Sequence, residues 1–169
     1  RKPIPMRPGK AEKYDYEYIR NGKANIFVAV EPKHGKRVTK VTKQRTKKDF
    51  AKFMQDVILS YPHAEKLRIV VDNLNTHFES SFYEMFEKDK AKRILGKLEF
   101  HYTPKHASWL NVAEIEISAM DTECTDRRMK NISFLRKEVN ACTKRRNKEK
   151  CKIDWRFTKE DADRKLAKH

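Results

Sequence analysis

The 169-residue sequence lacks any apolar run of membrane-spanning length and any signal-peptide pattern. Its three cysteines, Cys124, Cys142 and Cys151, are odd in number, and none of them belongs to a C-x-x-C pair. A disulfide framework and a zinc knuckle are therefore disfavoured, and a reducing compartment is expected. Internal repeats, low-complexity tracts and a clear linker are also missing. We expect a single soluble, cytoplasmic domain that spans residues 1–169.

Acidic residues are the scarce charged class, because 24 Asp and Glu stand against 40 Lys and Arg. The formal net charge of +16 and the sequence pI of about 9.8 are typical of proteins that bind polyanions. Nucleic acid is the first candidate partner, although a ribosome-associated protein or a merely basic surface would show the same composition. Residues 126–150 contain ten Lys or Arg, so residues 126–169 are predicted to form a basic helical extension.

The spacing of apolar residues predicts an α/β order of elements. Residues 24–30 and 37–44 flank a turn and predict a β-hairpin. Five apolar residues at helical spacing follow a capping-box-like start at Thr46 and predict an amphipathic helix: Phe50, Phe53, Met54, Val57 and Ile58. The other expected elements are strands at 67–71 and 98–102, which are predicted to be parallel to each other, and helices at 79–92, 112–125 and 133–147. The helix at 112–125 is expected to bury Ala113, Ile117, Met120 and Cys124.

Two acidic residues stand at positions where chemistry is expected. Asp72 ends the apolar run at 67–71, and the carboxyl ends of strands are where open α/β sheets place their active sites. Glu114 falls in the first turn of the predicted helix at 112–125. An acid at a strand end and an acid on a helix can converge on one metal ion. Glu116 lies about 200° around the helix from Glu114 and is expected to face elsewhere.

Each acid also has a purely structural interpretation. Asp72 and Asn73 favour turns and could simply end a strand. Glu114 could close a capping box with Asn111 as the N-cap residue, in which case its carboxylate would bind backbone rather than metal.

Five motifs follow one another along the chain: DYEY at 15–18 with Asn21-Gly22, TKKDF at 46–50, DNLNTH at 72–77, TPKHASWLNVAE at 103–114 and WRFT at 155–158. Together they resemble the transposases of the IS630 group, in the IS630/Tc1/mariner superfamily, over nearly the whole chain. The resemblance implies an α/β domain with a ribonuclease-H-like mixed sheet, flanking helices and basic C-terminal helices.

The resemblance further implies a DNA transposase of the DDE type. In that family three carboxylates hold two Mg²⁺ ions, for which Mn²⁺ can substitute. Asp72 matches the second acid and Glu114 the third, with Asn73 and His77 as accessory residues. The first Asp is expected on a central strand outside this chain. The sheet would then lack its first strand, and the chain alone is expected to be inactive.

DNA is the partner that the resemblance implies, as transposon ends and as target, with nucleoid association and a homodimer as further expectations. The DNA-binding candidates are Lys105, His106, Arg127, Arg128, Lys144, Arg145 and Arg146. Two alternatives stay open. One is a non-catalytic, basic DNA-binding remnant of a transposase, and the other is a ribonuclease-H-like nuclease that acts on RNA.

Overall fold

The computed structural model describes residues 8–9, 22–104 and 110–166. Along the chain its elements are β1 (Asn25–Glu31), β2 (Lys36–Thr42), α1 (Lys47–Leu59), β3 (Leu67–Val71), α2 (Ser80–Met85), α3 (Lys88–Gly96), β4 (Leu98–Tyr102), α4 (Ala113–Met120), a π-helical turn (Asp121–Thr125), α5 (Ile132–Lys148) and α6 (Lys159–Leu166). The motif at 15–18, Asn21, Lys105, His106 and Trp109 lie outside the described residues. Within those ranges no helix is long and apolar enough to cross a membrane.

The strands form two separate pairs. β1 and β2 are antiparallel, with Asn25 opposite Thr42, and β3 and β4 are parallel, with Leu67 opposite Leu98. These two pairings confirm the prediction from the sequence. The expected single mixed sheet is not confirmed, because the described residues form a pair of two-stranded sheets.

Helix α1 forms where the sequence predicts it. The Thr46 hydroxyl accepts a hydrogen bond from the Asp49 amide, and the Asp49 carboxylate accepts one from the Thr46 amide, so the capping box is complete. The inward face of α1 packs in a core that also contains Phe27 of β1, Phe82 of α2 and Leu98 of β4. One helix therefore covers both strand pairs.

The helix predicted at 79–92 is wrong as a single element. Phe86 has extended backbone angles, φ −123° and ψ 153°, and separates α2 from α3. On one straight helix Phe82 and Ala91 would lie about 180° apart. Both are 0% exposed in the structure, because the break lets each short helix turn its apolar face to the same core.

The third predicted helix differs from expectation in the face that it buries. Helix α4 ends at Met120 and continues as the π-helical turn that carries Cys124. Met120 and Cys124 are buried as predicted, but Ile117 is 51% exposed and Glu116 is 0% exposed. The prediction for Ile117 was wrong because the carboxylate of Glu116 finds charged partners inside the protein. Met120 and Cys124 join a second core with residues of β2 and α5: Val41, Leu135, Val139 and Cys142.

Candidate metal-binding acids and their surroundings

Asp72 follows the last residue of β3, at the carboxyl end of the parallel β3–β4 pair. Two hydrogen bonds tie this loop to the end of β4. The Thr103 amide donates to the Val71 carbonyl at 2.9 Å, and the Asn73 side-chain amide donates to the Thr103 carbonyl. Asn73 therefore fixes the backbone around Asp72.

His77 binds the Asp72 carboxylate directly. Its Nδ1 lies 2.6 Å from Asp72 Oδ1, and the loop between them is closed by a hydrogen bond from the His77 amide to the Leu74 carbonyl. The imidazole also contacts the ring of Phe50, with 4.6 Å between ring centroids. The contact with Asp72 fixes one carboxylate oxygen and leaves Oδ2 without a hydrogen-bond partner among the described residues.

The protonation of His77 follows from its surroundings. Burial lowers its pKa and outweighs the neighbouring Asp72 carboxylate, which raises it, so the net pKa lies below the ordinary value for histidine. A neutral imidazole is then the main form at pH 7. Because a carboxylate only accepts hydrogen bonds, the proton sits on Nδ1 and the lone pair on Nε2.

Glu114 lies in the first turn of α4 and is exposed. Together with five neighbours it lines an open, shallow depression formed by Asn111, Ile115, Ser118, Ala119 and Thr122. Asn111 Oδ1 accepts a hydrogen bond from the Ala113 amide at 3.1 Å, which is an Asx-type turn just before the helix, whose N-cap residue is Val112. The Glu114 amide bonds the Asn111 main-chain carbonyl, and among the described residues the Glu114 carboxylate neither binds Asn111 nor has a basic partner, so the expected capping box does not form.

The two acids offer oxygen atoms of the kind that Mg²⁺ and Mn²⁺ prefer. In the part of the chain that the structure describes, no group of three or more His, Cys, Asp or Glu is arranged to hold a metal ion. The donors fit a divalent cation in kind, but the pair is not a complete ligand set. The shared metal site of Asp72 and Glu114 stays a prediction.

Comparison with known proteins gives the family of this domain. The sequence model of the DDE superfamily endonucleases matches residues 1–136, a range that contains both Asp72 and Glu114. The chain belongs to this family. No curated protein and no solved structure matches it. Membership implies nuclease-type activity on DNA, and DDE superfamily endonucleases generally use divalent metal ions.

The DDE endonuclease domain also contains a buried ionic cluster that the sequence analysis missed. Glu116 of α4 is 0% exposed and Arg37 of β2 is 2% exposed. Arg37 Nη2 donates to Glu116 Oε2 at 2.9 Å, and Arg37 Nε lies 2.7 Å from Glu116 Oε1 at an angle that does not make a hydrogen bond. From the other side, Arg146 of α5 donates to both carboxylate oxygens, at 2.9 and 3.2 Å. One acid thus joins a strand and two helices.

The sequence did contain a signal for this cluster. Glu116, Met120 and Cys124 recur every four residues, which is one face of a helix, and the acid in that series needs a buried cation. The expectation that Glu116 faces away from Glu114 is confirmed, since Glu116 is buried and Glu114 exposed.

Several cations predicted to bind DNA already have acidic partners. Arg145 and Arg146 both bind Glu123, and Arg127 binds Glu138. Arg128 and Lys144 are exposed and have no acidic partner within the described ranges. DNA contact by all of these residues stays a prediction, but Arg128 and Lys144 are the freer candidates.

Proposed function

We propose that this domain is the catalytic domain of an IS630-group transposase, which cleaves DNA strands and transfers them in a metal-dependent reaction. One observation carries the proposal. The match to the DDE endonucleases contains two acids, one at the end of a parallel strand and one in the first turn of a helix. Each has a carboxylate oxygen that no described residue binds.

The roles of the residues follow from their contacts. Asp72 and Glu114 would hold Mg²⁺ or Mn²⁺ together with an acid that is not yet assigned. When bound, the metal would activate the attacking water or 3′-hydroxyl and stabilise the leaving oxygen. His77 orients the Asp72 carboxylate by donating to one oxygen, which is the usual task of a group behind a metal ligand. Asn73 holds the same loop against the end of β4.

The proposed fold is ribonuclease-H-like, with the β1–β2 and β3–β4 pairs as two parts of one mixed sheet. Support comes from α1, whose Phe53 and Met54 lie in one core cluster with Phe27 of β1 and Leu98 of β4. Helices pack on one face of a sheet, so a helix shared by both pairs favours their lying side by side.

Sequence-independent DNA binding through exposed cations of residues 126–150 is part of the proposal. The net charge of +16 favours binding to the phosphate backbone, and such binding would also keep the protein on the nucleoid. A homodimer belongs to the proposal as its expected assembly.

The test is strand cleavage by the protein expressed from its complete reading frame. Supercoiled plasmid carrying the element's ends is incubated with Mg²⁺, with Mn²⁺ or with a chelator, and nicked and linear products are quantified. We expect metal-dependent cleavage that Asp72→Asn or Glu114→Gln reduces at least about a hundredfold, because each change removes a charged metal ligand and keeps its shape. Glu65→Gln, an exposed acid on the loop before β3, is the matched control and should cleave normally.

DNA binding without metal-dependent cleavage would favour the alternative, a DNA-binding remnant that has lost its chemistry. The experiment tests this alternative because the described residues contain no group of three His, Cys, Asp or Glu that could hold a metal ion. Cleavage of RNA in preference to DNA would contradict the transposase and favour the other nuclease.

A further inference from the structure

Helix α4 is attached to the rest of the protein in an unusual way. Of its eight residues only Glu116 and Met120 are buried, and the two isoleucines beside Glu116 remain 44% and 51% exposed. An ordinary surface helix is held by an apolar stripe. Here the first half of the helix is held by a carboxylate.

The contacts of the Glu116 carboxylate fix the orientation of α4 as well as its distance from β2 and α5. Arg37 approaches from β2 and Arg146 from α5, and each guanidinium reaches both carboxylate oxygens. Arg37 is itself held by the carbonyls of Gly35 and Cys151, at 2.8 and 2.7 Å. Planar groups that bind through two atoms set orientation in a way that apolar contacts do not.

Stability alone does not account for this arrangement. Removing charges from water is costly, and well-packed apolar side chains in place of a buried ion cluster often give equal or greater stability. What the cluster adds over an apolar contact is a fixed rotation of α4 about its axis.

We propose that Glu116 is a positioning residue that sets where α4 presents the Glu114 carboxylate. The inference rests on the proposed metal-binding role of Glu114. The two side chains are about 200° apart on the helix, so holding one fixes the direction of the other. A rotation of α4 by about 20° would move a side-chain end about 2 Å, since the outer helix radius is about 5–6 Å. Mg²⁺ tolerates far smaller changes in ligand distance.

The experiment compares Glu116→Gln with Arg146→Lys in the protein expressed from its complete reading frame. Both variants weaken the cluster without touching Glu114, and Arg146→Lys is the milder change should Glu116→Gln fail to fold. Mn²⁺ affinity is measured from the electron paramagnetic resonance signal of the free ion. Amide hydrogen exchange of α4 and the melting temperature are measured alongside. Val57→Ala, in the core on α1, is the control for general destabilisation.

We expect Glu116→Gln to weaken Mn²⁺ affinity about 10- to 100-fold, the range for residues that hold a metal ligand in place. Arg146→Lys should give a smaller loss, and both variants should speed exchange in the first turn of α4. Val57→Ala should lower the melting temperature and leave Mn²⁺ affinity unchanged. A lower melting temperature with wild-type Mn²⁺ affinity in both cluster variants would overturn the proposal.

A different result is expected if the proposed metal-binding function of Glu114 is wrong. In that case Glu114→Gln would leave Mn²⁺ affinity unchanged in the otherwise native protein. Hydrogen exchange would then decide the structural half of the inference, since unchanged protection of α4 in Glu116→Gln would show that Glu116 does not position the helix.

Discussion

Three lysines share one exposed face of α5. Lys137, Lys144 and Lys148 are spaced by seven and four residues, which places them within about 40° of one another around the helix. All three are exposed, and none has an acidic partner within the described ranges. They span about 16 Å along the helix axis. If the proposed DNA-binding surface includes this face, replacing the three lysines by alanine should weaken binding to every duplex sequence.

The size of the effect follows from counterion release. Each neutralised phosphate contributes about 0.9 to the slope of log affinity against log salt concentration. With one phosphate per lysine, the triple variant should lower the magnitude of that slope by about 2.7. The wild-type affinity should then fall about 40-fold more than that of the variant between 50 and 200 mM salt, an estimate from the same relation. Fluorescence anisotropy with random duplex DNA over that salt range measures both slopes.

A matched triple variant on α3 is the control. Lys88 and Lys92 of α3 and Lys97, the residue that follows the helix, are also exposed, and their replacement by alanine removes the same charge. We expect the α3 variant to keep the wild-type slope. Equal slopes for wild type and the α5 variant would refute the assignment of the DNA-binding surface to this face of α5. An equal reduction of the slope in both triple variants would indicate general charge attraction. Arg145 and Arg146 are unsuitable for this test, because their replacement would also break the ionic cluster around Glu116 and Glu123.

Three further predictions concern stability and titration. Gly35→Ala should destabilise the fold by at least about 1–2 kcal/mol in chemical denaturation, since Gly35 has φ +67° and an added Cβ would lie 2.6 Å from backbone atoms. Gly96→Ala is its control and should be neutral or stabilising, because that helical position has open space around it. Thr46→Ala should cost about 1 kcal/mol of unfolding free energy by removing the N-cap of α1, while Thr46→Ser should keep most of it. Burial, helped by the Glu31 carboxylate, raises the pKa of Tyr61 from 10.0 to about 12. Its folded pKa is raised, so the neutral phenol is favoured in the fold and stability falls as the pH rises from 10.0 to about 12. Ultraviolet titration should show a late tyrosine transition that Tyr61→Phe removes.

Local patterns in the sequence predicted much of the scaffold. The hairpin, α1 with its Thr46 cap, the β3 and β4 strands and α5 all form close to the expected positions. In each of these elements the periodic spacing of apolar residues agrees with the face that is buried, so the local sequence pattern was sufficient to predict the element. The family was recognised in the same way, from short motifs that the match to the DDE endonucleases supports at the coarser level.

Features that depend on distant residues could not be predicted this way. The break at Phe86 exists because Phe82 and Ala91 must reach one core, and no glycine or proline marks it in the sequence. The spacing of Glu116, Met120 and Cys124 could have shown that Glu116 faces inward, but it could not show the partners of this acid, because Arg37 and Arg146 lie 79 and 30 residues away from it. Ionic partners at such separations leave no periodic pattern.

The central claim is that Asp72 and Glu114 bind the same divalent ion, and a Mn²⁺ titration followed by nuclear magnetic resonance tests it most directly. Bound Mn²⁺ broadens the signals of nearby amides, so the amides around Asp72 and those in the first turn of α4 report on each acid separately. A shared site predicts that both sets broaden with one half-saturation concentration, and that Glu114→Gln raises this concentration for both sets together. If the two sets saturate at different Mn²⁺ concentrations, or if Glu114→Gln leaves the Asp72 set unchanged, the two acids do not share a metal ion.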